Sequence, residues 1–253
     1  MIDVLYLAWN RLEFTTRTFD YLLAHTDWSL VNRLIVYDDG SEDGTQEWLR
    51  DAVATCNEML PDSAELRLSD LRSPPAIMNH YLATSEAAWF AKIDNDIAVP
   101  GGWLNALLDV AQGQSDVELL GMEAGMVAMP GRDGEPEVGG PYSFEPASHI
   151  GGVGLMRVQA FRSRPAIPSR GRYGFTEWQN RYEPTRGWIR PDLLCPSLDR
   201  IPEEPFVSLR ETYVENGWSR PWPAYSEQWM RPYYSWVLKR ETAAAAAAKE
   251  IRL

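Results

Sequence analysis

Short apolar runs alternate with helical segments along the first 111 residues of this 253-residue chain. The runs with the length and composition of strands are residues 2–8, 34–37, 65–68 and 89–93. Segments with apolar side chains at helical spacing follow them, at residues 12–24, 45–59, 76–85 and 103–111. A strand followed each time by a helix is the pattern of a mostly parallel α/β sheet.

Polar side chains gather where three of the predicted strands end. Asn10 and Arg11 follow the first strand, Asp38 and Asp39 follow the second, and Asp94-Asn95-Asp96 follows the fourth. Ligands of open α/β sheets bind in the crevice outside the carboxyl ends of the strands. We therefore expect a binding site at this edge, built from side chains of separate strand ends.

Composition narrows the class of protein. Apolar residues make up 45% of the chain, which is enough for a sizeable core, and the 11 Trp argue against disorder. No stretch approaches the roughly 18 continuous apolar residues that span a bilayer, and the first residues do not have the pattern of a signal peptide. Cys56 and Cys195 lie far apart and are expected to be reduced thiols. A cytoplasmic protein is the expectation.

The net charge of −12 is unevenly distributed. Residues 1–130 carry 7 Lys and Arg against 21 Asp and Glu, giving 7 − 21 = −14, whereas residues 131–253 carry 17 against 15, giving +2. Residues 157–190 hold eight arginines among several aromatic side chains. The overall acidity argues against a general nucleic-acid coat protein. The basic segment either pairs with the acidic half or binds an anionic partner.

The triplet Asp94-Asn95-Asp96 places two carboxylates two residues apart, just past an apolar strand. Mg²⁺ and Mn²⁺ prefer oxygen ligands and usually keep substrate phosphates in their coordination shell. A cation held here could bridge a diphosphate and stabilise it as a leaving group. The alternative for such a short pattern is an ordinary turn or helix cap.

The acidic pair Asp38-Asp39 is followed by Gly40 and Gly44, which allow the backbone to turn tightly and approach a ligand. Carboxylates placed in this way can accept hydrogen bonds from a base or from ribose hydroxyls. The alternative is a plain turn in which Ser41 or Asp43 caps the next helix.

Together these motifs resemble family 2 glycosyltransferases, which have the GT-A fold. Residues 6–11 are similar to the opening strand of that family, residues 75–79 to its helix with Asn, and residues 92–103 to its metal-binding segment. The resemblance covers about residues 2–110. More loosely, residues 151–157 are similar to the glycine-rich acceptor-side segment, and residues 174–181 to the region of the catalytic acid pair, where only Glu177 is acidic here.

The resemblance implies a Rossmann-like, mostly parallel central sheet flanked by helices, with an irregular C-terminal acceptor-side lobe. Residues 1–110 would form the nucleotide-sugar-binding half and residues 111–253 the acceptor-binding half of one continuous domain. Asp96 would ligate Mn²⁺ or Mg²⁺, and Glu177 would be the general base. The implied contacts to the nucleotide sugar, with a UDP-sugar favoured, are Asn10, Arg11, Asp38 or Asp39, Asn79 and Asp94. Those implied for the acceptor are Gly152, Trp178 and Arg181.

The acceptor and the reaction type stay open at this point. A glycan or small molecule is the favoured acceptor, and a hydroxylated base in DNA is a further candidate, because aromatic and basic residues suit an extruded base. A nucleotidyltransferase is the alternative enzyme, although residues 9–12 lack the glycine-rich basic loop usual for that class. A non-catalytic nucleotide-sugar or glycan-binding module is another alternative, and it would need no acid at Glu177. The sequence does not indicate an oligomeric state.

Overall fold

All seven residues of strand β1 (Ile2–Ala8) are buried, as expected for a strand in the middle of a sheet with both faces covered. In the computed structural model of the chain, β1 pairs in parallel with β2 (Val31–Asp39) and β4 (Trp89–Asp94), and β2 pairs in parallel with β3 (Ala64–Ser69). The structure describes residues 1–59, 63–122, 142–169, 174–190, 195–219, 221, 224–225 and 231–250. The parallel sheet predicted for the first half is confirmed.

The second half extends the same sheet with mixed strand directions. Its strands are β5 (Leu119–Gly121), β6 (Ser143–Pro146), β7 (Val153–Arg157) and β8 (Arg186–Arg190). The order is β3-β2-β1-β4-β7-β5-β8-β6, and β7 runs antiparallel to both β4 and β5. β6 pairs with β8 in a segment that carries no strand-like run in the sequence; residues 131–141 lie outside the described part of the chain.

Helices cover both faces of the sheet. They are α1 (Leu12–His25), α2 (Thr45–Met59), α3 (Pro74–Thr84), α4 (Trp103–Gly113), α5 (Val158–Arg162), α6 (Gly174–Tyr182), α7 (Phe206–Glu215) and α8 (Arg231–Glu250). Short 3₁₀ helices occur at Trp28–Leu30 and Leu198–Arg200. The start of α3 follows from its sequence, because the Ser73 side chain accepts a hydrogen bond from Ala76 N and prolines occupy the first turn.

Three clusters of buried apolar side chains hold these layers together. Alternate residues of β1 enter two of them: Val4 and Tyr6 pack on the side of α1, α2 and α4, whereas Leu5 and Leu7 pack on the side of α3, α5 and α6. The third cluster joins α1 to α7 and α8. Both cysteines are buried thiols, as expected. Among the described helices, none combines the length and apolar character needed to cross a membrane.

Candidate active site

A cavity of about 510 Å³ opens at the carboxyl ends of the parallel strands. Carboxylates from separate parts of the chain line it: Asp39 at the end of β2, Asp94 and Asp96 at the end of β4, and Asp199 in the second 3₁₀ helix. The register of the sheet explains the convergence, since β1 lies between β2 and β4 and pairs Ala8 with Asp38 and Leu7 with Asp94. The common edge expected from the sequence is therefore present.

Asn95, the middle residue of the acidic triplet, is turned into the protein and is 2% exposed. Its amide donates to Asn10 O at 2.9 Å and to Thr15 Oγ1 at 2.8 Å, while its backbone N–H donates to Leu7 O. These bonds join the ends of β1 and β4 to α1. Asp94 and Asp96 on either side are consequently held at the cavity.

Asn10 has a similar structural role between the ends of β1 and β2. Its backbone N–H donates to Ser41 Oγ at 2.7 Å, and its side-chain oxygen accepts from Glu42 N at 2.7 Å. It is 2% exposed and is not among the residues that line the cavity. In this position the Asn10 side chain does not face the cavity in which a nucleotide sugar was expected to bind.

The Arg11 side chain extends from a left-handed backbone turn to the carboxylates that line the cavity. These carboxylates, the acidic edge, are Asp39, Asp94, Asp96 and Asp199. Asn10 (φ 50°) and Arg11 (φ 64°) both adopt the left-handed region, which Asn tolerates better than other side chains with a Cβ. The Arg11 guanidinium bonds Asp96 Oδ2 at 3.2 Å and Asn95 Oδ1, and it lies 3.9 Å from Asp199 Oδ2. Burial alone would lower the pKa of Arg11, but the adjacent Asp96 and Asp199 carboxylates outweigh that effect and raise it.

The two carboxylates of the Asp38-Asp39 pair have different surroundings. Asp39 lines the cavity and accepts hydrogen bonds from Ser69 Oγ, Arg72 N and Ser73 N at 2.8–2.9 Å. Asp38 is fully buried, is not part of the cavity lining, and accepts from Ser41 N and Gln46 Nε2. Of the two, only Asp39 is placed where a ligand could reach it.

Asp94 is held between a buried cation and a glycine. Lys92, 6% exposed, donates from Nζ to Asp94 Oδ1 at 2.6 Å, and the Asp94 backbone N–H donates to Gly152 O at 3.0 Å. A Cβ on Gly152 would lie 3.3 Å from Asp94 Oδ2, so the glycine permits the close approach of this segment. Burial raises the pKa of Asp94, and Lys92 opposes that shift.

Asp96 receives a second partner from a segment that the sequence did not indicate. Ser197 Oγ lies 3.3 Å from Asp96 Oδ2 and 2.7 Å from Asp199 Oδ1, and Leu198 N donates to Asp96 O. Burial, together with the nearby Asp96 charge, raises the pKa of Asp199. Trp218 and Ser219 line the same cavity. These residues belong to the part of the chain with few periodic runs, where only the acidic character of Asp199 could have drawn notice.

The remaining predicted site residues do not line the cavity. Asn79 pairs through both ends of its amide with the backbone of Ile167, at 2.7 and 3.0 Å. Trp178 is fully buried, stacks on Phe161 and donates from Nε1 to Pro165 O, so its ring is not available to an acceptor. Arg181 is exposed, with its guanidinium 5.6 Å from the Tyr182 ring centre.

Glu177 is exposed in the first turn of α6. The start of that helix is close to the cavity edge, because a Cβ on Gly174 would lie 3.3 Å from Pro75, next to the cavity-lining Pro74. Glu177 itself is not among the residues that line the cavity.

Most described arginines of the basic segment bind the protein itself. Arg157 donates to the backbone oxygens of Ser115 and Val117, and Arg162 donates to Ser85 O. Arg164 forms a bidentate ion pair with Glu118, and Arg186 donates to Ser148 O and Gln179 O. Arg170 and Arg172 lie outside the described residues. This pairing favours the structural interpretation of the segment and gives no support to a nucleic-acid partner.

The donor set at the cavity suits a hard divalent cation. Asp94 and Asp96 supply carboxylate oxygens, and the two described hydrogen bonds to the Asp96 side chain both reach Oδ2, leaving Oδ1 for another ligand. Within the described residues, no group of three or more His, Cys, Asp or Glu side chains is arranged to enclose a metal ion. Mg²⁺ and Mn²⁺ are commonly held by one or two carboxylates with substrate phosphates completing the shell, so Asp94 and Asp96 fit that use.

The chain has the GT-A fold found in glycosyltransferases of known structure. Residues 3–125 match the sequence model of glycosyl transferase family 2. The matched residues include β1–β4 and the acidic triplet. No curated protein matches the chain by sequence.

Solved structures share the fold at low identity. The mannosyltransferase PcManGT from Pyrobaculum calidifontis, in complex with GDP-Man and Mn²⁺, is 14% identical with a TM-score of 0.61, covering 98% of this chain and 75% of that chain. S. aureus TarS 1-349 is 11% identical with a TM-score of 0.57, covering 92% and 77%. Glucosyl-3-phosphoglycerate synthase from Mycobacterium tuberculosis, in complex with Mn²⁺, uridine-diphosphate and phosphoglyceric acid, is 16% identical with a TM-score of 0.50, covering 74% and 67%.

Proposed function

We propose that this chain transfers a sugar from a nucleoside-diphosphate sugar to an acceptor hydroxyl, with inversion at the anomeric carbon and with the help of Mn²⁺ or Mg²⁺. The observation that carries the proposal is the meeting of Asp39, Asp94 and Asp96 at one cavity. A similar fold in PcManGT holds GDP-Man and Mn²⁺, and one in glucosyl-3-phosphoglycerate synthase holds uridine-diphosphate and Mn²⁺.

The donor would lie along the cavity with its base near β2 and its diphosphate near β4. Asp39 and Arg72 line one end of the cavity together with the apolar Pro74 and Ile77, and these residues would hold the base. Asp94 would accept hydrogen bonds from the ribose, and Asp96 would ligate the divalent cation. Residues 1–110 would thus bind the donor, and residues 111–253 would supply most of the acceptor side.

The reaction we propose is a single displacement. The acceptor oxygen forms a bond to the anomeric carbon on one face while the bond from that carbon to the diphosphate oxygen breaks on the other. A divalent cation, when bound, supplies neutralisation of the charge that develops on the departing diphosphate. Glu177 would remove the proton of the acceptor hydroxyl, because it is an acidic residue in the first turn of α6 and is accessible to solvent.

A donor assay tests the proposal directly. The protein is incubated with UDP- and GDP-sugars and Mn²⁺ in the presence of glycan or small-molecule acceptors, and the release of nucleoside diphosphate is measured. We expect release that depends on the cation and that falls at least about a hundredfold in D96N, since charge stabilisation by a single group commonly contributes that much. D109N is the matched control, because Asp109 is exposed on α4 away from the cavity lining. Equal release by D96N and wild type would remove the basis of the assignment.

The role of Glu177 is tested separately by E177Q. We expect a loss of about 10²- to 10⁴-fold in kcat with unchanged donor affinity, because the substitution removes a general base and leaves the donor contacts in place. E183Q, beyond the end of the same helix, is the control. Full turnover in E177Q would assign the base to another carboxylate, with Asp199 of the cavity lining the next to be examined.

A further inference from the structure

Both carboxylates of the acidic triplet form an ion pair with a basic side chain of the protein. Lys92 Nζ lies 2.6 Å from Asp94 Oδ1, and Arg11 NH1 lies 3.2 Å from Asp96 Oδ2. Arg11 also lies 3.9 Å from Asp199 Oδ2. Asp94 and Asp96 are therefore each paired with a basic side chain of the protein itself.

The two cations differ in their access to the cavity. Lys92 is part of β4, its side chain is 6% exposed, and it is not among the residues that line the cavity. Arg11 lines the cavity from the turn between β1 and α1, and its guanidinium also approaches Ser219 Oγ at 3.5 Å. Arg11 therefore has a further polar partner within the cavity, whereas Lys92 does not line it.

A divalent cation on Asp96 and the Arg11 guanidinium compete for the same carboxylate. Like charges a few ångströms apart repel each other strongly in a partly buried site, so each lowers the affinity of the other for Asp96. A diphosphate relieves this competition, because its oxygens can accept two hydrogen bonds from the guanidinium while they also ligate the cation.

We propose that Arg11 neutralises Asp96 in the free protein, where no divalent cation is bound. Binding of the divalent cation to Asp96 would then depend on the nucleoside diphosphate. In this scheme Arg11 releases Asp96 to the cation and turns to the diphosphate when the donor enters. Free protein then binds Mn²⁺ weakly, and Mn²⁺ and nucleotide strengthen each other's binding reciprocally. This inference rests on the proposed function for the identity of the ligands.

The backbone at Arg11 offers a clean way to delete the charge. At φ 64° a glycine is at least as well accommodated as arginine, so R11G removes the guanidinium without straining the turn. R11M removes the charge and keeps the aliphatic stem. An effect that both variants share belongs to the charge, and circular dichroism shows that each variant is folded. R17M is the matched control, because Arg17 lies on α1 and pairs with Glu241 away from the cavity lining.

The experiment measures Mn²⁺ binding to the protein from the loss of the free-ion electron paramagnetic resonance signal, first without nucleotide and then with UDP or GDP. We expect R11G and R11M to bind Mn²⁺ without nucleotide at least about tenfold more tightly than wild type and R17M. We also expect nucleotide to raise the Mn²⁺ affinity of wild type about tenfold or more, and to raise that of the Arg11 variants by much less.

The outcomes separate the two proposals. Folded R11G and R11M with the Mn²⁺ affinity of wild type would overturn the role of Arg11, while nucleotide-dependent Mn²⁺ binding in wild type would leave the proposed function standing. If no protein bound Mn²⁺ even with UDP or GDP present, the proposed use of the cation and the role of Arg11 would both be wrong.

Discussion

Asn95 separates two cavity-facing carboxylates and is itself an internal hydrogen-bonding residue. Its amide donates to Asn10 O and Thr15 Oγ1, and it accepts from Arg11. These bonds join the end of β4 to Asn10 and Arg11 of the β1–α1 turn and to Thr15 of α1. The spacing of Asp94 and Asp96 therefore depends on the tertiary fold as much as on the local sequence. A residue between two candidate ligands can thus hold both of them in place.

Gly152 permits the close approach of the second half of the chain to Asp94. A Cβ at this position would lie 3.1 Å from Ile97 Cγ1 and 3.3 Å from Asp94 Oδ2, whereas a Cβ on Gly151 would meet nothing within 4 Å. We expect G152A to lower kcat/KM for the donor by about 10- to 100-fold, since small displacements of positioning groups have effects of this size. G151A should retain wild-type kinetics. Steady-state kinetics with both variants checks this, and equal effects of the two substitutions would contradict it.

Asp199 makes the stability of the protein depend on pH. Burial raises its folded-state pKa above the ordinary 3.8, so the neutral acid is favoured in the folded protein. Its contribution to stability is complete below pH 3.8 and is lost as the pH rises through the raised pKa. We expect the free energy of unfolding of D199N, measured by urea denaturation, to improve relative to wild type as the pH rises above about 4. A difference that did not change with pH, or one of opposite sign, would show that Asp199 titrates normally.

The sequence indicated the carboxylates that follow strands, because the strand ends of a parallel sheet share an edge. It did not indicate Asp199, Trp218 or Ser219, whose arrival at the same cavity depends on long-range packing of segments without clear periodicity. Asn10, just after β1, and Asn79, in α3, were expected to contact the nucleotide sugar. Their amides instead bind backbone atoms and do not line the cavity. Whether a polar side chain faces a ligand or the protein is decided by neighbours that the sequence does not identify.

At the scale of elements, α8 packs against α1, the helix that begins directly after Arg11. Trp236 packs edge-on against Tyr21 of α1 with ring centres 5.4 Å apart, and Glu241 pairs with Arg17 at 2.9 Å. Phe14 of α1 packs in turn on Phe206 and Tyr213 of α7. The C-terminal helices α7 and α8 therefore hold α1 in place, and with it the turn that carries the cavity-lining Arg11.

The contribution of this packing can be measured with W236A. Trp236 is 3% exposed, and loss of a large buried aromatic side chain typically destabilises a protein by about 3–5 kcal/mol. A245G is the control on the same helix: Ala245 is exposed, so only the lower helix propensity of Gly, about 1 kcal/mol or less, should be lost. Urea denaturation of both variants tests this expectation. A loss in W236A no larger than that in A245G would mean that α8 does not stabilise the fold.

Elements of the first half could be predicted because each buried strand and amphipathic helix repeats one clear pattern. The strand β6 was missed because only half-buried and exposed residues form it, and it ends at Pro146. Its partner β8 begins Arg186-Gly187, where a Cβ on Gly187 would lie 2.3 Å from Glu145 O. The pairing of these strands thus depends on close contact between segments that are about 40 residues apart, which no local pattern reveals.

At the scale of the whole molecule, one sheet joins the two halves of the sequence. β4 pairs with β1 on one side and with β7 on the other, so the strand that carries Asp94 lies at the junction. The apolar cluster that contains Val4 and Tyr6 of β1 also contains Val153 and Leu155 of β7 and Ile189 of β8. The donor-binding and acceptor-binding halves proposed above therefore share a core, and we expect them to fold as one unit.

This shared core predicts how a fragment of residues 1–113 behaves. Without β7 the fragment exposes the hydrogen-bonding edge of β4, from Trp89 to Ile93, and leaves the apolar side chains of that cluster uncovered. We expect it to aggregate or to unfold without a cooperative transition, whereas the full chain unfolds cooperatively, as followed by circular dichroism during urea denaturation. A sharp, reversible transition in the fragment would show instead that the first half folds independently, and the boundary near residue 110 would then separate two domains.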